Sequence, residues 1–224
     1  MQPGDVYCTD HPLTLEEFLE LVDEDTEAEL IDGVVVMSSP AGTAHETLFG
    51  WLLRVLGGYV EERRLGVVLG SRSPVRITGY TGREPDLLFV RAERCHIIQE
   101  NEITEAPDFV IEIVSPNDRL GQVIRKQAQY ETIGVRELWV IDLPRREVRA
   151  YVLGEDGRFA SVPVSKGGVL RSAVVDGFEL KVEWLWSGMG QFPSSLSIVQ
   201  NLLKRARQRS KTVQHKARAK KTRR

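Results

Sequence analysis

Four side chains in the middle of the chain have types and spacing suited to hydrolytic chemistry. Asp86 heads the apolar run Leu87-Leu88-Phe89-Val90, and Glu112 sits inside a second run, Phe109-Val110-Ile111-Glu112-Ile113-Val114. Lys126 and Tyr130 follow in a stretch of helical spacing, four residues apart and so on one helix face. Two carboxylates and a lysine, each delivered by a core element, are the components of a metal-dependent hydrolytic site.

Each of these residues also has a plainer account. Alternate side chains of a strand share a face, so Val110, Glu112 and Val114 point one way and Phe109, Ile111 and Ile113 the other. Apolar residues on both faces describe a strand covered on both sides, as in the middle of an α/β sheet. A carboxylate there is costly unless it is paired, hydrogen-bonded or bound to metal. A glutamate near a strand end, reaching solvent or an arginine, would escape that cost. Asp86 follows Pro85, a common loop-to-strand junction, and Lys126 taken alone reads as a solvated surface lysine. The pair Pro107-Asp108 competes with Pro85-Asp86 for the same role. Asp108 lies four residues before Glu112 on one strand, roughly 13 Å away at about 3.3 Å per residue, so both cannot ligate one small cation. Asp86 can lie beside Glu112 if their strands are neighbours. The site therefore takes Asp86, and Asp108 reads as structural.

The surrounding elements follow from period and capping. Leu13 to Asp23 reads as a helix with Thr14 and Glu17 in a capping box. Ala28–Ile31 and Val34–Met37 flank Asp32-Gly33, a hairpin signal. Thr43 to Arg63 is a long helix with Thr43 and Glu46 at capping-box spacing. His45 falls in its first turn, where the helix end favours anions; a surface or capping histidine is the preferred account of it, since four histidines without paired spacing do not suggest a zinc site. Gly66–Gly70 and Pro74–Thr78 give two strands, and Arg91 to Pro107 is a polar loop with room for a short helix. The helix carrying Lys126 starts at an Asn117 or Asp118 cap and ends before Gly134. Its inner face is expected on Leu120, Ile124 and Ala128, with Val123 and Ile133 adjoining. Glu137–Asp142 pairs with Glu147–Leu153 across Pro144-Arg145-Arg146, and short strands run on to a close at Glu183-Trp184-Leu185-Trp186.

Asp86, then Ile111-Glu112-Ile113-Val114-Ser115-Pro116, then Lys126 and Tyr130 on the next helix, resemble the PD-(D/E)XK nuclease superfamily. More narrowly they resemble the small bacterial proteins grouped under the description "putative restriction endonuclease". Glu29-Leu30-Ile31-Asp32-Gly33, Ser39-Pro40 before His45, and Gly134-Val135-Arg136-Glu137-Leu138-Trp139-Val140-Ile141-Asp142 agree, so the likeness covers about Leu13 to Leu153. The lysine that usually stands two residues after the acid is replaced here by Val114, and Lys126 takes the migrated position. The resemblance implies a restriction-endonuclease-like core, an α/β (α+β) fold with a mixed central sheet flanked by helices. It implies an endonuclease of DNA that uses Mg²⁺, or Mn²⁺ in its place, on Asp86, Glu112 and the backbone carbonyl of Ile113. Lys126 is then the catalytic lysine and Tyr130 a supporting residue. It makes Glu29 a candidate for the same site, with an exposed edge-strand glutamate as the alternative, and His45 a candidate beside the substrate phosphate. It also implies a homodimer, because paired sites cut both strands.

Composition sets the remaining bounds. With 224 residues and 42% apolar content the chain can bury a real core. The expected division is a nuclease domain over 1–190 and a basic C-terminal segment over 191–224, helical to about Ala206 and disordered beyond. Residues 204–224 hold eleven of the 30 Lys/Arg and none of the 32 acids, which leaves a body of net −13 behind an overall −2. Such an arm attracts phosphate without reading sequence, folds back on the acidic body, or binds a partner. Cys8 and Cys95 show neither metal-ligand spacing nor a disulfide framework, and no apolar signal or bilayer-spanning run appears, so a cytoplasmic protein without a membrane partner is expected. The competing function is a nuclease-like fold without activity, acting as a DNA-binding or interaction module; a different metal-dependent hydrolase on the same acids is the third.

Overall fold

Apolar runs that lack polar alternation become the central strands of a mixed sheet in the computed structural model. The structure describes residues 6–22, 26, 28–37, 41–70, 72–116 and 118–221, with side chains through residue 208. The chain opens with β1 (Val6–Tyr7), α1 (Leu15–Leu21) and the hairpin of β2 (Ala28–Ile31) and β3 (Val34–Met37). Then come α2 (Thr43–Arg63), β4 (Gly66–Leu69), β5 (Val75–Thr78) and β6 (Thr81–Arg83). β7 (Leu87–Arg91), a 3₁₀ turn over Ala92–Ile97 and β8 (Phe109–Val114) lead into α3 (Leu120–Ile133) and β9 (Glu137–Asp142). β10 (Glu147–Leu153), β11 (Phe159–Val162), β12 (Val169–Arg171), β13 (Glu179–Lys181), a 3₁₀ turn over Val182–Trp186 and α4 (Ser195–Lys221) complete it.

The main sheet has the order β11-β10-β9-β8-β7-β4, antiparallel throughout except for β8 and β9. A parallel pair needs a crossover, and α3 is that crossover. Phe109, Ile111 and Ile113 of β8 bury against α2 and α4, while Val110 and Val114 bury on the α3 side with Tyr130. A second sheet, β1-β3-β2-β6-β5, carries α1 and a smaller core of Leu15, Phe18 and Leu30. Its hairpin turns at Asp32 (φ 51°) and Gly33 (φ 79°), the left-handed pair that Asp-Gly favours. Gly33 is also required by space, since a Cβ there would lie 2.5 Å from Pro12 Cβ. No helix among the described residues is long and apolar enough to cross a membrane.

Four expectations change. The α2 cap is Gly42, already extended (φ −71°, ψ 154°), and its carbonyl accepts the Glu46 N–H at 3.0 Å; Thr43 is inside the first turn, one residue too late to cap. At the start of α3, Arg119 holds the cap position, and the Asp118 carboxylate instead accepts the Ser115 N–H at 2.6 Å. Asn117 and Ser39-Pro40 lie outside the described residues. The expected inner stripe of α3 faces outward, with Leu120 51% and Ile124 54% exposed. At 100° per residue that stripe lies about 140° around the helix from Lys126, Tyr130, Val123 and Ile133. The second group packs Val123, Tyr130 and Ile133 into the core on that side of the sheet and also carries the polar partners of Glu112. Finally, α4 remains helical past Ala206 to Lys221. Its sequence there contains no Gly or Pro and many good helix formers. Its first turns bury Ile198 and Leu202 in the principal core beside α2.

Candidate active site

Register places the two carboxylates. Leu87 pairs with Ile111 across β7 and β8, so Asp86, one residue earlier, reaches the level of Glu112. Asp86 Oδ2 accepts the Ile113 N–H at 2.6 Å, and Oδ1 lies 3.0 Å from His45 Nε2 in the first turn of α2. Glu112 Oε1 accepts the Tyr130 hydroxyl at 2.6 Å, and Oε2 lies 3.4 Å from Lys126 Nζ. Lys126 and Tyr130, one helical turn apart on α3, thus grip one oxygen each. Lys126 Nζ also lies 3.1 Å from Glu29 Oε1.

Glu29 comes from β2, which is interior to its sheet, so the exposed edge-strand alternative does not hold. Arg83 Nη1 donates to Glu29 Oε2 at 2.7 Å, the Glu84 N–H donates to Oε1 at 3.2 Å, and Arg83 Nε donates to Gln129 Oε1 at 2.8 Å. His45 is likewise buried rather than a surface cap. The structure brings Glu29, His45, Asp86, Glu112, Lys126 and Tyr130 into one cluster. Of Ile113 it shows the amide, bound to Asp86. Asp108 is elsewhere, fully buried at the head of β8 among Arg91, Arg94 and Arg136.

Gln129 was not foreseen as a member, and Arg83, which with Arg72 and Arg76 reads in the sequence as positive charge just ahead of Asp86, was not foreseen as the anchor of Glu29. Arg83 sits on β6, three residues long and closing a tight hairpin with β5, too short to show a period. The available signal was the turn at Gly79-Tyr80, which returns the chain alongside β5 just before Asp86.

The charges are unequal. Burial, with the Asp86 and Glu29 carboxylates adding to it, pushes Glu112 up to about 7 against the opposing pull of Lys126 and Tyr130. Burial would lower the Lys126 ammonium, but Glu112, Glu29 and Asp86 outweigh it and hold the amine above its usual range. Burial would raise Glu29, yet Lys126 and Arg83 keep it below the ordinary glutamate value. Desolvation would lower His45, and the Asp86 contact raises it instead. Burial and Glu112 hold the Tyr130 phenol well above its usual value, so it stays a donor.

A folded-state value above the unfolded one means that Glu112 contributes stability below the ordinary glutamate range and loses it as pH rises through about 7. His45, also raised, works in the same direction. The thermal midpoint in EDTA is therefore expected to fall between about pH 5 and pH 8. Glu112→Gln should flatten part of that fall and leave the His45 part. An unchanged slope in the variant would remove Glu112 from the account.

Among the described residues, no three His, Cys, Asp or Glu side chains are spaced to cage a metal by themselves. The cluster instead offers two carboxylates on adjacent strands, one of them raised chiefly by burial. That donor set suits a hard cation that takes one or two carboxylates and keeps its waters, and it does not suit structural zinc.

The comparisons with known proteins agree with this fold. The family model described as "Uma2: Putative restriction endonuclease" matches residues 15–183. No curated protein matches the chain. Among solved structures, the crystal structure titled as that of a putative nuclease belonging to DUF820 from Anabaena variabilis superposes with a TM-score of 0.65 at 20% identity, over 78% of this chain and 98% of that one. At that identity the likeness concerns the fold, a mixed sheet flanked by helices. The family match spans all six clustered residues from β2 to α3, and by it the chain belongs to the Uma2 family of restriction-endonuclease-like proteins.

Proposed function

We propose that this protein is a Mg²⁺-dependent endodeoxyribonuclease, with Mn²⁺ able to replace Mg²⁺, and that the Asp86–Glu112–Lys126 cluster is its active site. The observation that carries the reading is the meeting of Asp86 and Glu112 on neighbouring strands with Lys126 Nζ 3.4 Å from the glutamate. Asp86, Glu112 and the main-chain carbonyl of Ile113 would hold the ion. Such an ion, when bound, polarises a phosphoryl oxygen and makes a coordinated water easier to deprotonate.

The chain's own residues supply the rest. Tyr130 fixes one oxygen of Glu112 and so orients the carboxylate. Glu29, itself anchored by Arg83, holds the Lys126 ammonium at the rim of the cluster. From there Lys126 orients the attacking water and offsets charge growing on the phosphate. His45, kept protonated by Asp86 over a wider pH range, adds positive charge where a phosphate would approach. One cluster cuts one strand; double-strand cleavage in this reading needs the site of a second copy.

The test is conversion of supercoiled plasmid to nicked or linear product in Mg²⁺ or Mn²⁺, with EDTA as the blank and identically purified Asp86→Ala protein beside it. Nicking by the wild type alone is expected; equal nicking by both preparations would sink the proposal. A second reading, a DNA-binding module without cleavage, draws on the basic arm from Lys204 onward. Salt-sensitive duplex binding with no nicking in either metal would select it.

A further inference from the structure

Arg149 lies in β10 opposite Val140 of β9, and Val140 lies beside Glu112 of β8. Side chains at paired positions stand on the same face of a sheet. Val140 and Tyr151 pack on the α3 side, whereas Ala150, next to Arg149, packs on the α2 side. Arg149 and Glu112 therefore share one face and one row, two strands apart, or about 10 Å between backbones at about 4.8 Å per strand.

The Nε of Arg149 is sealed from solvent and has no hydrogen-bond partner among the described residues. Nor do the described acids form an ion pair with its guanidinium. The other sheltered arginines are matched: Arg83 by Glu29 and Gln129, Arg76 by Glu102 and Glu16, Arg94 by Glu105 and Asp108. A half-buried guanidinium left without an acid, on the row of the reacting carboxylate, has the chemistry of an anion site. Its planar donors fit phosphate oxygens.

We propose that Arg149 binds a backbone phosphate of the DNA next to the one held over Asp86 and Glu112, and so sets the register of the strand in the site. The proposal rests on the nuclease reading above. Arg149 forms no ion pair with Glu112, and at two strand spacings it is near enough to hold a flanking phosphate. Its contribution is to positioning and affinity, without choice of base.

The test measures binding of a short fluorescent DNA duplex by anisotropy, with Ca²⁺ in place of Mg²⁺, across a salt series. Arg149→Gln should weaken binding roughly tenfold, the effect of removing one charge-assisted hydrogen bond. Its plot of log K against log salt should be shallower by about 0.9, as expected when one fewer phosphate is neutralised. Arg149→Lys keeps a charge, so it should keep the slope while losing part of the affinity; it also serves as the deciding variant if Arg149→Gln does not fold. Wild-type affinity and slope in Arg149→Gln, or undiminished affinity in Arg149→Lys, would overturn the proposal while leaving the nuclease reading in place. A wild-type protein that does not bind the duplex at all would remove both.

Discussion

Glu112→Gln should lower plasmid nicking in Mg²⁺ by roughly a thousandfold, about 4 kcal/mol of transition-state stabilisation, without loss of the fold. The substitution keeps the shape of the side chain and removes its charge. Tyr130 can still donate to the amide oxygen, and Lys126 retains Glu29 at 3.1 Å. What disappears is half of the carboxylate pair that would hold the ion. Asp86→Asn should act alike: its amide oxygen can still accept from one of the two neighbours, the Ile113 N–H or His45, so the local fold survives while the ion loses a charged ligand. Lys126→Ala should cost less, because it removes an orienting charge and leaves the ion's ligands in place. The measurement is the initial rate of supercoiled-plasmid loss, with thermal melts as the control for folding. A Glu112→Gln protein nicking within tenfold of wild type would take this carboxylate out of the reaction, and the metal site with it.

The parts of this site legible in the sequence are those set by local pattern. The unbroken apolar run Phe109–Val114 announced a strand covered on both faces, and a single glutamate inside it stood out against that background. Asp32-Gly33 fixed its hairpin through the left-handed turn it favours, and Thr14 with Glu17 formed the capping box their spacing implied. Misread features depend on what lies far away in the chain. The inward face of α3 joins Val123, Tyr130 and Ile133 in the core to the partners of Glu112 and Glu29, so Leu120 and Ile124 lie outside. His45 looked like an ordinary first-turn residue until β7 carried Asp86 to within 3.0 Å of it. Arg149 resembled any strand arginine, and only the pairing of β8, β9 and β10 puts it in line with Glu112.

Asp108→Ala should destabilise the fold by about 1–3 kcal/mol while leaving the specific activity of the folded fraction unchanged. Chain and chemistry part company at the two Pro-Asp pairs. Pro85-Asp86 delivers its carboxylate to the level of Glu112; Pro107-Asp108 delivers its own to the opposite end of β8, where it is fully buried. There Oδ2 accepts the Arg91 N–H at 3.0 Å and lies 3.1 Å from Arg94 Nη1, and Oδ1 lies 3.7 and 3.6 Å from the Nε atoms of Arg91 and Arg136. Removing that carboxylate strands a backbone donor and takes a counter-charge from three guanidinium groups, of which only Arg94 keeps another acid, Glu105, among the described residues. Deleting the carboxylate costs more than the net worth of the pairings, because the part-buried Arg91 N–H loses its acceptor and the partly exposed guanidiniums are left to repel one another. Asp108→Asn keeps the volume and one acceptor, so its loss should be smaller but still measurable by urea unfolding. The reciprocal variant sets the scale: Asp86→Asn should shift the urea midpoint far less and destroy nicking. If Asp108→Ala instead unfolded like the wild type, the arginines would need another anion to hold them, and Asp108 would no longer be the residue that fixes the start of β8.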